Sequence, residues 1–132
     1  MNRIKVKKYD SDNIFARIIR NEIPCNKIYE DNNIIAFHDL NPAAPLHILV
    51  IPKGEYTSYD DFILKASEQE IAHFFKMVRT LTHDFNLAES GYRLITNHGS
   101  DGMQTIPHFH LHILGKTKLG ALVADDQYHK DS

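Results

Sequence analysis

The chain has 132 residues, 42% of them hydrophobic, and a formal net charge of −2: enough apolar material for one core, too little positive charge to grip a nucleic-acid backbone. A single cysteine, Cys25, excludes an internal disulfide and a zinc site built on paired thiolates, and it fits a reducing, cytoplasmic setting. No apolar run approaches the length of a signal peptide or a membrane span, so a soluble protein is expected, with neither membrane nor nucleic acid among its partners.

Residues 1–12, opening on the basic stretch "MNRIKVKKYD", are expected to form a flexible arm. Asp12 then predicts an N-cap for a helix along "NIFARIIRNE", where Ile14, Phe15, Ile18 and Ile19 share one stripe before Pro24 closes the segment. "NKIYE", "DNN" and "IIAFHD" read as a hairpin, since Asp and Asn tolerate the left-handed conformations of tight turns. "LHILVIP" is a continuous apolar run ended by Pro52, the pattern of a central strand covered on both faces, and it carries His47 into the interior. Ser67 and Glu70 form a capping box ahead of Ile71, Phe74, Phe75, Val78, Leu81 and Phe85, which predicts a long helix ending near Asn86. "YRLITN" reads as a strand, "HGSDGMQTIP" as a loop and "HFHLHILG" as a final strand. The tail, residues 116–132, has no clear periodicity. The expected architecture is α+β, a twisted, mainly antiparallel sheet packed by two helices, with the domain spanning residues 13–115.

The final strand carries the chemistry. Side chains at i, i+2 and i+4 of a strand share a face, so His108, His110 and His112 are expected to project together while Phe109, Leu111 and Ile113 turn to the core. Neighbouring rings then stand on Cα atoms roughly 7 Å apart, where two charges repel by about 2 kcal/mol at an effective dielectric near 20. Protonating one ring disfavours the next, which leaves a neutral imidazole able to attack or to ligate. Two chemistries use such a set. One is a catalytic zinc held by His47, His110 and His112; the other is nucleophilic attack at phosphorus by one ring while the others orient it and bind phosphate oxygens. The loop "NHGSDGMQT" favours the second, because its backbone N–H groups and the Thr105 hydroxyl are placed to converge on an anion.

"HFHLHIL" matches in full the signature His-φ-His-φ-His-φ-φ, with φ apolar, and the chain from Asn13 to Gly115 resembles the histidine triad (HIT) family, in its nucleotide-binding purine nucleoside phosphoramidase branch. The stretches "NIFARIIRNEIP", "IIAFHDLNPAAPLHILVIPK" and "GYRLITNHGSDGMQTIPHFHLHILG" carry that likeness. The resemblance implies a homodimer paired through the long helix and the strand starting at Tyr92, and a cofactor-free, metal-free reaction on an AMP- or GMP-type purine nucleotide. It implies that His110 attacks the α-phosphorus and expels an amine, leaving a nucleotidyl-histidine for water to hydrolyse. His47 and His108 would support the ring network. Asp39 would hold the ribose; Ile14, Phe15, Phe37, His38 and Leu49 would form the base pocket; Asn97, Gly102, Thr105 and His112 would contact phosphate.

The chain departs from the family pattern at Thr105, where serine is commoner, at Met103, where a second glycine is frequent, and at Pro107, which replaces a common tyrosine. Asn13 and Ala16 stand where some bacterial relatives carry a zinc-binding Cys-x-x-Cys. Three other functions remain open at this point: a nucleotide-binding regulatory module with little turnover, a dinucleoside polyphosphate hydrolase, and the zinc-dependent hydrolase.

Overall fold

The computed structural model describes residues 8–124. Its elements run α1 (Ile14–Ile19), β1 (Asn26–Glu30), β2 (Ile34–His38), β3 (Leu46–Pro52), α2 (Tyr59–Lys65), α3 (Glu68–Asp84), β4 (Tyr92–Ile95) and β5 (Leu111–Gly115). The strands form one antiparallel sheet in the order β1-β2-β3-β5-β4. The hairpin turns where expected, with the Asp31 carboxylate accepting from the backbone N–H of Asn33 and Ile34. No helix among the described residues is long and apolar enough to cross a membrane.

Alternation along the strands divides the interior into two cores on opposite faces of the sheet. Ile34, Ala36, Ile48, Val50, Leu111 and Ile113 face one way, against Phe62 of α2 and Phe74, Val78 and Leu81 of α3. Ile35, Phe37, Leu49 and Ile51 face the other way, against Phe15 and Ile18 of α1. β3 lies at the centre, is buried along its whole length and serves both.

The helices differ from the sequence reading in three respects. The N-cap of α1 is Asn13 rather than Asp12: the Asn13 Oδ1 accepts from Ala16 N at 2.9 Å, while Asp12 N turns back to the Asp10 carboxylate. The helix stops at Ile19, well before Glu22, because Asn21 takes a left-handed φ of 62°. α2 is an additional helix, capped by Ser58, with Asp60 and Asp61 in its first turn. Its single buried residue, Phe62, gave too short a stripe for periodicity to register.

The arm expected to run free through residue 12 is fastened from Tyr9 onward, where the phenol meets the ring of His108; residues 1–7 lie outside the described part. The Arg93 guanidinium donates to the carbonyls of Gly120 and Ala121, tying the start of the tail to β4; residues 125–132 are likewise outside the description.

Candidate functional site

On the α1 face of the sheet, β5 lies beside β3 with His112 opposite Leu49. A cavity of about 420 Å³ opens there, lined by Phe15, Asp39, Asn41, Leu49, Asn97, Met103, Thr105, Ile106, His110 and His112. A second depression, about 460 Å³, lies at the outer edge of β4 between Ser90 and Leu119; its lining includes no histidine and no carboxylate.

The ladder of β5 begins only at Leu111, so His108 and His110 precede the strand rather than lying on it. Their backbone groups are engaged elsewhere: His108 N donates to Ile106 O, Phe109 N to Tyr56 O, and the His110 carbonyl accepts from the Thr96 hydroxyl. Period-two alternation survives even so, since Phe109, Leu111 and Ile113 enter the α2/α3 core. His110 and His112 form the cavity wall with ring centroids 5.1 Å apart. His108 does not reach the cavity; it is fully buried behind the wall, its ring 6.3 Å from that of Phe15.

The hydrogen bonds assign a proton to each ring, because a backbone N–H can only donate and a carbonyl can only accept. Ala43 N donates to His47 Nδ1 at 3.0 Å, so the proton of neutral His47 sits on Nε2 and is donated to His112 Nδ1 at 2.8 Å. His112 is thereby left with its proton on Nε2. His110 Nδ1 donates to the carbonyl of His108 at 2.7 Å, which leaves Nε2 as the bare nitrogen of that ring. His108 Nε2 donates to Pro52 O at 2.8 Å, and its Nδ1 accepts from Tyr9. One cavity wall thus offers a lone pair on His110 and an N–H on His112.

Burial keeps the rings neutral. It lowers His110 despite the His108 carbonyl and the Asp39 charge, and lowers His47 despite Asp39. Burial, reinforced by the neighbouring rings, brings His108 and His112 to about 4. In the unfolded chain these rings titrate near 6.5, so between 6.5 and 4 the unfolded state holds more protons than the folded one. Their contribution is complete above 6.5 and is lost as the pH falls through the folded values, by at most about 1.4 kcal/mol per pH unit for each ring. A urea-unfolding midpoint that declines from about pH 6.5 towards pH 4 is the expected result; a level midpoint across that range would contradict the assignment.

The loop beside the histidines is braced internally. Asn97 Nδ2 donates to Gly102 O at 2.6 Å, Gln104 Nε2 donates to Thr57 O and Ile106 O, and His98 Nδ1 meets the Ser58 hydroxyl at 2.7 Å. The expected cradle of backbone donors is smaller than the sequence suggested: Gly99, Met103 and Gln104 direct their N–H groups to Gln104 Oε1, Ser100 O and Gly99 O. Asn97, Thr105 and His112 bring side-chain donors to the cavity lining.

Other residues singled out in the sequence take different places. Phe37 is buried behind Phe15, with ring centroids 6.0 Å apart, and supports the pocket without lining it. His38 lies on the opposite face of the sheet, edge-on to Phe85, because alternation sends the neighbour of Phe37 to the far side. Ile14 is 45% exposed and does not line the cavity. Gly102 shapes the loop from outside the cavity: a Cβ there would lie 2.6 Å from the His98 carbonyl oxygen. Asn41 and Ile106 were not anticipated, since a turn asparagine and a loop isoleucine carry no distinguishing pattern. Met103, noted as a departure, is 77% exposed at the rim with a left-handed φ of 62°, a strain of about 1–2 kcal/mol.

The zinc alternative requires His47, His110 and His112 to converge. Among the described residues the group whose ligand atoms come within 4.8 Å of one another is instead Asp39, His47 and His112. Both nitrogens of His47 are engaged, by Ala43 and by His112, and Asp39 Oδ2 stands 3.4 Å from His47 Nε2. A cation would have to break this row to bind, so the arrangement does not fit a resident metal.

Comparison with known proteins adds three findings. The HIT domain family model matches residues 20–119. An uncharacterised HIT-like protein of Azospirillum brasilense is 49% identical over 117 residues, 89% of this chain and 96% of that one, and the purine nucleoside phosphoramidase of Escherichia coli K12 is 37% identical over 113 residues, 86% and 94%. The crystal structure of a HIT family hydrolase from Legionella pneumophila superposes with a TM-score of 0.77 at 36% identity, covering 83% of this chain and 96% of that one.

Proposed function

The chain belongs to the HIT domain family, and from that premise we propose that it hydrolyses phosphoramidates of purine nucleoside 5'-monophosphates through a covalent intermediate on His110. The observation that carries this reading is the proton order of the wall: a bare Nε2 on His110 beside a protonated Nε2 on His112. His110 Nε2 attacks the α-phosphorus, the P–N bond breaks, and the amine leaves with a proton drawn from water. The hydroxide left by that transfer then adds to phosphorus, the Nε2–P bond breaks, and a nucleoside monophosphate is released with His110 neutral again. His112 Nε2–H, Asn97 and Thr105 donate to the phosphoryl oxygens as charge builds there. The purine lies against Phe15, Leu49 and Ile106, and the Asp39 carboxylate accepts from the ribose hydroxyls.

The direct test is intact-mass analysis of protein quenched during turnover of adenosine and guanosine phosphoramidates. A nucleotidyl adduct mapped to His110 is expected. Nucleotide binding with neither adduct nor hydrolysis would replace this reading with that of a binding module.

The same reading takes the chain as a homodimer. β4 is an edge strand that exposes Tyr92 at 41% and Leu94 at 42%, apolar surface that a second copy would cover. Light scattering is expected to give twice the 15.2 kDa chain mass, and a strictly monomeric solution would exclude this pairing.

A further inference from the structure

Tyr9, from the segment expected to be a solvated arm, reaches the interior. Its hydroxyl stands 2.6 Å from His108 Nδ1, and its ring packs edge-on against that imidazole with centroids 5.7 Å apart. Asn13 Nδ2 donates to the same phenolic oxygen at 2.9 Å, while Asn13 Oδ1 caps α1. The direction of each bond is fixed. An amide nitrogen can only donate, so the phenol accepts from Asn13; His108 Nε2 carries the ring proton towards Pro52 O, so Nδ1 is bare and the phenol must donate to it. Burial raises the Tyr9 pKa, consistent with a hydroxyl that keeps its proton.

This chain of bonds ends at the reacting ring. The carbonyl of His108 is the acceptor that holds His110 Nδ1–H, and neither residue belongs to the β5 ladder that begins at Leu111. Side-chain bonds therefore do at His108 what sheet pairing does further along the strand. We propose that Tyr9 is a positioning residue for His110, its hydroxyl fixing the His108 imidazole and, through that residue's backbone, the orientation of the nucleophile. The inference rests on the hydrolase reading given above and adds a residue from outside the cavity.

Two substitutions test it. Tyr9→Phe keeps the ring contact and deletes the donor. Asn13→Asp keeps an equally good N-cap but turns the donor facing the phenol into an acceptor, which competes with His108 for the hydroxyl proton. Both variants are expected to lower kcat about tenfold with KM within about twofold; Asn13→Asp also loses the bond from Asn13 Nδ2 to the Asp10 carbonyl, so its Tm falls, and Tyr9→Phe carries the test free of that change. In proton NMR the His110 Nδ1–H resonance should broaden through faster solvent exchange. Unchanged kcat in both variants with an unaltered Nδ1–H signal would overturn the proposal, as would a rise in KM with kcat untouched. If the wild-type protein hydrolysed no phosphoramidate, the hydrolase reading would fall, and the Nδ1–H signal of the two variants would decide the part played by Tyr9.

Discussion

His110→Ala is expected to lower phosphoramidate turnover by at least ~10³, about 4 kcal/mol of barrier, while mononucleotide affinity stays within a few-fold. The two readouts separate because the residues that would bind the nucleotide stand on other elements: Phe15 on α1, Leu49 on β3, Asp39 after β2, and Asn97 and Thr105 on the loop before the histidines. His110 contributes the one ring nitrogen in the wall that is both bare and next to an N–H donor. Alanine removes that lone pair, the Nδ1–H bond to the His108 carbonyl, and ring contacts with Phe15 at 4.9 Å and His112 at 5.1 Å. Single-turnover kinetics with a purine nucleoside phosphoramidate, run beside calorimetric titration of the product monophosphate, supply the check. Turnover near the wild-type rate would remove His110 from the reaction, and joint loss of turnover and binding would mean that the pocket itself had collapsed.

Phe62→Ala is expected to destabilise the fold by about 3–5 kcal/mol, a large part of the total for a domain of this size. The ring is fully buried, stacked on Phe109 at 4.8 Å with 22° between planes, and in contact with Phe74 at 5.3 Å and Tyr56 at 5.1 Å. Phe109 separates His108 from His110 in the chain, so the cavity left by the truncation lies beneath the histidine wall. The urea midpoint should fall sharply. Leu64→Ala, on the same short helix but 78% exposed, should change stability by no more than about 0.5 kcal/mol. Equal effects of the two substitutions would refute the packing argument.

Much of this fold is legible in the sequence because its strongest signals are periodic. The branched run "LHILVIP" gives the central strand, the Ser67–Glu70 pair marks the start of α3, and alternation after His108 sends Phe109, Leu111 and Ile113 into the core. Short elements are less legible. α2 buries one side chain, and the reach of Tyr9 to His108 spans 99 positions in the sequence with no local pattern to announce it. Alternation brought His110 and His112 to one wall, whereas Asp39 and Asn97 entered only through the family resemblance, and residues placed by shape alone were not readable. His38 shows the limit: the family resemblance implied a pocket shared with Phe37, while the pleat places the two on opposite sides of the sheet. Backbone donors in the loop were overcounted because a sequence does not reveal that Gln104 and Ser100 engage them.

Because β3 gives Ile48 and Val50 to one core and Leu49 and Ile51 to the other, neither core can open without exposing the other. The amide protons of this strand should accordingly be the slowest in the molecule to exchange with deuterium, released only when the whole domain unfolds. Any breathing that admits and releases ligand must then arise in the loop and in α1, against a floor that stays still.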